Sequence, residues 1–117
     1  MSARPRSVVA RSMSEEEWQA IVIDLARLLK FRVAHFRPAR TERGWRTPVA
    51  ADGAGFPDLL LCRGQRILAL ELKAERGRLS AAQEDWLAAL RAAGVEAHVL
   101  RPSQWDAAVE ILQRVPA

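Results

Sequence analysis

Apolar residues recur at helical spacing through Trp18, Ile21, Val22, Leu25, Leu28 and Leu29, directly after Ser14-Glu15-Glu16-Glu17. Ser14 reads as an N-cap and Glu17 as its capping-box partner, so the pattern predicts a helix with one stripe facing a core. Residues 1–13 show no clear periodicity and read as a flexible basic tail. Phe31 to Arg37 alternates briefly like a strand and runs into Pro38. From there to Pro57 the chain is rich in Arg, Gly, Pro and Ala, which predicts a long loop of the kind that is often functional in a compact domain.

Asp58–Arg63 and Ile67–Ala74 read as two strands joined by a tight turn at Gly64-Gln65, a hairpin. Ser80 then caps a helix, with Gln83 at the capping-box position, Trp86, Leu87 and Leu90 on its apolar side and Gly94 beyond its end. Val95–Leu100 is a further strand stopping at Pro102, and Ser103 is placed to cap a last helix carrying Trp105, Val109 and Leu112. The order is α, β, β, β, α, β, α. A helix between the third and fourth strands permits a parallel crossover, so an α/β fold is expected, with a mixed sheet flanked by helices.

At 117 residues, half of them apolar, the chain suits one globular domain, here 14–117 behind the tail. No apolar run approaches the roughly 20 residues that span a bilayer, and no signal-peptide pattern follows the N-terminal arginines. The lone Cys62 excludes an internal disulfide, reads as a buried thiol, and makes a reducing cytoplasm the default. Basic residues exceed acidic ones by 18 to 14, and the excess is uneven: between Arg32 and Arg46 lie five arginines and one acid, Glu42. Clustered guanidinium groups suit bidentate contacts to phosphate, which makes nucleic acid the natural partner; a solvated basic loop is the other reading.

The chemistry concentrates in the predicted hairpin. Asp58 opens the apolar run Leu59-Leu60-Leu61, and Glu71 lies between Leu70 and Leu72 with Lys73 two places on. Strand alternation puts Glu71 and Lys73 on one face, and pairing through Gly64-Gln65 brings Asp58 to the same corner. Two carboxylates converging in a partly dry site repel, and a divalent cation with hard oxygen ligands resolves this. Mg²⁺ or Mn²⁺ there would polarise a phosphate and acidify a water, while Lys73 would orient that water or offset transition-state charge. A partly exposed Glu–Lys ion pair is the alternative.

Pro57-Asp58 followed by Glu71-Leu72-Lys73 resembles the PD-(D/E)xK nuclease signature, and the element order is similar to that superfamily's restriction-endonuclease-like αβββαβ(α) core. More narrowly, Gly55-Phe56-Pro57-Asp58, Glu71-Leu72-Lys73 and Gly77 with Ser80-Ala81-Ala82-Gln83 resemble the VRR-NUC family, from about Glu15 to Leu112. The resemblance implies a Mg²⁺- or Mn²⁺-dependent endonuclease that hydrolyses phosphodiesters of branched or structured DNA, in the cytoplasm of a bacterial or virus-infected cell. By that likeness Asp58, Glu71 and the Leu72 backbone carbonyl hold the metal, Lys73 is the catalytic lysine, and Gln83 stands near the metal to position water or phosphate, alongside or instead of capping Ser80.

The family also carries a metal-shell glutamate on its first helix. Glu15, Glu16 and Glu17 compete for that role; Glu15 is favoured because Glu17 is the capping-box partner and Glu16 points away from the apolar stripe. The alternative is that all three merely complement the positive end of the helix dipole. Arg37, Arg40, Arg43 and Arg46 would hold the DNA backbone, and Trp45 would either stack on an unpaired base or fold back on the domain. His35 reads as a structural hydrogen-bonder, with a place near phosphate as the alternative, His98 as a structural hydrogen-bonder, and Trp18, Trp86 and Trp105 as core. No His/Cys set has zinc spacing, and Gly53-Ala54-Gly55 lacks the continuation of a phosphate-binding loop, so neither zinc nor a nucleotide cofactor is expected. Two-fold substrates would favour a homodimer. The competing class is a basic DNA-binding module without catalysis.

Overall fold

A computed structural model of the chain describes residues 4–36, 39–41, 44–46 and 49–115. In chain order the elements are α1 (Arg4–Ser12), α2 (Glu15–Leu28), β1 (Arg32–His35), β2 (Ala39–Thr41), β3 (Gly44–Arg46), β4 (Leu59–Arg63), β5 (Arg66–Leu72), α3 (Ala81–Ala92), β6 (Glu96–Leu100), a 3-10 turn (Pro102–Gln104) and α4 (Trp105–Gln113). β1, β4, β5 and β6 form one mixed sheet in that spatial order. β1–β4 and β4–β5 are antiparallel, and α3 carries the chain across to a parallel β6. No helix among the described residues is long and apolar enough to cross a membrane.

Side-chain alternation splits the apolar residues between two layers. Leu59, Leu61, Leu68, Leu70 and Leu72 meet Trp18, Val22 and Ala26 of α2 and Ala108, Ile111 and Leu112 of α4. On the opposite face Ala69 and Ala97 lie under Leu87 of α3, with Leu60, Leu90 and Val99 half-buried around them. Helices therefore cover both faces, and β5, central and doubly covered, is buried from Leu68 to Leu72.

Both expected capping boxes form. Ser14 Oγ accepts from Glu17 N while Glu17 Oε1 accepts from Ser14 N, each at 3.0 Å, and Ser80 and Gln83 repeat the exchange at 3.1 and 2.8 Å. The Gly64-Gln65 turn joins β4 to β5 with Gly64 at φ +61°.

The structure corrects several readings. The N-terminal stretch read as tail folds as α1 from Arg4; Ala10, the buried apolar residue among its described side chains, is too small to make a periodic signal. The long basic loop contains a second, two-stranded sheet, with Ala39, Arg40 and Thr41 opposite Arg46, Trp45 and Gly44. Three-residue strands are too short to show alternation, and Gly44 at φ +96° begins the return strand. Ser103 does not cap α4; Pro102 starts a 3-10 turn closed by Gln104 Oε1 accepting from Arg101 N at 2.9 Å, and Ser103 N donates to Glu75 Oε1 at 3.0 Å. Ile21 and Leu28 are exposed, since the buried stripe of α2 runs through Trp18, Val22 and Ala26.

Cys62 is exposed, not buried: it pairs with exposed Ile67 on a part of the sheet that α3 does not cover. Trp86 is half-buried and outside the main core, against Phe56.

The sheet end formed by the turn is closed by arginines. Arg66 makes a two-pronged bond to Glu96 at 3.1 and 2.7 Å and donates to Arg114 O at 3.0 Å. Arg63 donates to Leu29 O and Arg114 O, both at 2.8 Å, with its guanidinium 4.2 Å from the Phe31 ring centre. His98 completes this end with a 3.0 Å bond to Glu96, the structural role expected of it. Burial alone would raise the Glu96 carboxyl, yet Arg66 and His98 carry it below its ordinary value.

Candidate active site

At the other end of the sheet the charged residues of the hairpin meet. Asp58 immediately precedes β4 and Lys73 immediately follows β5, so both sit one step outside the strands that the sequence assigned them to. Leu59 pairs with Leu70, and one further step of that antiparallel register sets Asp58 level with Glu71. The corner is fastened by Asp58 Oδ2 accepting from Leu72 N at 2.9 Å and by Lys73 N donating to Leu100 O at 3.2 Å.

Glu71 is 1% exposed. Its Oε2 accepts from Gln83 Nε2 at 3.2 Å and lies 3.6 Å from Lys73 Nζ, while its Oε1 is buried without a hydrogen-bond partner. Burial first, and the neighbouring Asp58 second, push the Glu71 carboxyl up to about 8, with Lys73 opposing the rise. A buried acceptor left unmade costs about 1–3 kcal/mol, so this side chain is held in a position that stability does not favour.

Glu15 reaches the same corner from α2, with Oε1 3.9 Å from Lys73 Nζ. The approach is set by Trp18, whose indole Nε1 donates to Leu100 O at 2.9 Å and pins the start of α2 over the ends of β5 and β6. Partial burial raises the Glu15 carboxyl; Lys73 offsets this, and Asp58 and Glu16 add to it. Glu17 is occupied in its capping box and Glu16 is exposed. Of the three competing glutamates, the structure brings Glu15 to the corner. One turn further along α2, buried Gln19 hydrogen-bonds His35 Nε2 at 3.2 Å.

Gln83 makes its expected capping box through Oε1 and at the same time donates from Nε2 to Glu71. The first turn of α3 is positioned by the segment before Pro57. Gly55 has φ +86°, and a Cβ there would lie 2.6–2.8 Å from Ala82, so only glycine lets this backbone pass. Trp86 Nε1 donates to Asp52 O at 2.8 Å, tying the same segment to α3.

Of the residues expected to hold DNA, Arg37 and Arg43 lie outside the described residues, while Arg40, Trp45 and Arg46 are described as backbone in β2 and β3. Arg76 and Arg78 were not singled out from sequence. Both are exposed on the segment joining Lys73 to α3, and neither has an ion-pair partner among the described residues. That segment is braced by Arg101 Nη2 donating to Gly77 O at 2.6 Å and packs on the lysine, a Cβ at Gly77 falling 3.4 Å from Lys73 Cδ. Their signal was the Arg76-Gly77-Arg78 run three residues after Lys73, outweighed by the denser cluster upstream.

The unpartnered Oε1 of Glu71, with a second carboxylate beside it, is the donor chemistry that suits a hard divalent cation. No group of three or more His, Cys, Asp or Glu side chains converges to hold a metal among the described residues. A sequence profile of the VRR-NUC domain matches residues 2–104. No curated protein and no solved structure matches the chain.

Proposed function

The chain belongs to the VRR-NUC family, and from that premise we propose that it is a divalent-metal-dependent endonuclease acting on branched or structured DNA. Membership implies a nuclease acting on DNA, and the mixed sheet with helices on both faces is consistent with the family's restriction-endonuclease-like core. The observation that carries the finer reading is Glu71, buried with a bare carboxylate oxygen beside Asp58 and Lys73.

In this reading Asp58, Glu71 and the Leu72 carbonyl would hold Mg²⁺ or Mn²⁺, and Glu15, now facing Lys73, would be drawn in to complete the shell. When bound, the cation would polarise the scissile phosphate and acidify a water. Lys73, fixed between Glu71 and Glu15, supplies positive charge where the phosphorane charge develops. Gln83 fixes the Glu71 carboxylate through Nε2. Arg76 and Arg78 join Arg37, Arg40, Arg43 and Arg46 as contacts to the DNA backbone, and Trp45 adds a stacking surface.

The test is cleavage of end-labelled flap, splayed-arm, four-way and continuous duplex DNA with Mg²⁺, Mn²⁺ or EDTA. Products are expected with either cation and none with EDTA, and branched forms are cut faster than continuous duplex. Uniform cutting of all forms would remove the structural preference.

A further inference from the structure

Phe36 directly follows β1 and is 40% exposed, a large aromatic side chain facing solvent in a basic protein. Its backbone N donates to Asp58 O at 2.9 Å, which prolongs the β1–β4 pairing by one step. The registers across β1, β4 and β5 set His35, Leu59 and Leu70 in one row. The next row is Phe36, Asp58 and Glu71. Residues in one row project from the same face, and neighbouring strands are about 4.8 Å apart. The Phe36 ring therefore stands on the face of the sheet that carries Glu71, one strand from Asp58 and two from Glu71.

This ring is held in place. It meets Phe56 edge to face, centroids 5.4 Å apart at 90°, and Phe56 meets Trp86 in the same manner at 5.1 Å and 80°. Trp86 is in turn fixed by its bond to Asp52 O. Phe36 is the outermost ring of this series. Exposed Ala34 and half-buried Leu60, paired two residues back on the same face, give the ring apolar neighbours on the side away from Asp58.

We propose that Phe36 is a stacking platform for an unpaired nucleobase next to the scissile phosphate, so that the substrate is DNA whose bases are open at the cut. The inference rests on the nuclease reading of the Asp58–Glu71 corner. A base hangs one sugar away from its phosphate, and a phosphate at the carboxylates places it over the neighbouring strand. In continuous duplex the base is already stacked on both sides and gains nothing from the ring. An orientated aromatic surface rewards a base freed at a branch or in a single strand.

Affinities of the full chain for single-stranded, splayed-arm and continuous duplex DNA, measured in EDTA so that no cutting occurs, test this. Phe36→Ala is expected to weaken single-strand and splayed-arm binding about five- to a hundred-fold, with duplex binding unchanged. Phe36→Trp restores the affinity, while Phe36→Leu, which keeps the apolar packing without a π face, does not. Equal loss on all three DNAs, no loss, or full recovery with Phe36→Leu overturns the proposal. Cutting by the wild type in Mg²⁺ is scored separately. Cutting without a Phe36 effect removes the platform and leaves the nuclease; a selective Phe36 effect without cutting does the reverse.

Discussion

The Gln83 side-chain amide bridges helix and strand, its Nε2 donating to Glu71 Oε2 at 3.2 Å while its Oε1 accepts from Ser80 N at 2.8 Å. Its two ends can be separated by mutation. Ser80→Ala removes the hydroxyl cap, at about 1 kcal/mol of stability, and should leave cleavage within a few-fold of wild type. Gln83→Ala loses the capping box and frees Glu71, so its cleavage rate should fall at least about ten-fold for a similar loss in thermal stability. Equal rates for the two variants would show that Gln83 acts as a cap alone.

Gly55 predicts a positional contrast. Gly55→Ala places a methyl 2.6–2.8 Å from Ala82 at φ +86°, so the loop or the first turn of α3 must shift, carrying Gln83 with it. Stability and cleavage should both drop. Gly64→Ala, also at positive φ but with nothing within 4 Å, should cost about 1 kcal/mol and leave cleavage unchanged. Thermal melts and initial rates for the pair decide it.

The carboxyl of Glu71 makes metal-free stability depend on pH. Its folded value of about 8 lies above its ordinary 4.5, so the folded state binds the extra proton between those values. The associated stability is fully present below about pH 4.5 and is lost as pH rises through about 8. In EDTA the melting temperature should therefore decline across that window, and Glu71→Gln should flatten the decline. Mn²⁺ favours the ionised form, so its stabilising effect should grow towards pH 8. A wild-type profile as flat as the variant's would contradict the assignment.

Much of this corner is legible in the sequence, because it depends on local rules. Ser14-x-x-Glu17 and Ser80-x-x-Gln83 announce helix starts, and the Gly64-Gln65 turn fixes a register that carries Asp58 to Glu71. What stays hidden depends on tertiary coverage. Cys62 is exposed because α3 spans only part of its face, and nothing in Leu-Cys-Arg records the reach of a helix twenty residues on. The β2–β3 strands are too short to alternate, and Phe36 gains its place beside Asp58 only from a register continued past the end of β1.

The arginines near the lysine predict an electrostatic signature. Replacing both Arg76 and Arg78 with alanine should lower the slope of log affinity against log salt by about 2 for duplex DNA and leave the melting temperature nearly unchanged, since neither makes an ion pair among the described residues. An unchanged slope would take this segment out of the interface.

If Asp58, Glu71 and Lys73 form a metal-dependent hydrolytic centre, cutting requires both the cation and the lysine. The most direct measurement is single-turnover cleavage of splayed-arm DNA at saturating protein, with Mg²⁺ and with EDTA, for the wild type and Lys73→Ala, with binding measured in parallel. The wild type should cut in Mg²⁺ and not in EDTA, and Lys73→Ala should lose at least about a hundred-fold in rate with binding retained. Wild-type binding without cutting under any divalent ion, or Lys73→Ala cutting at the wild-type rate, would contradict such a centre.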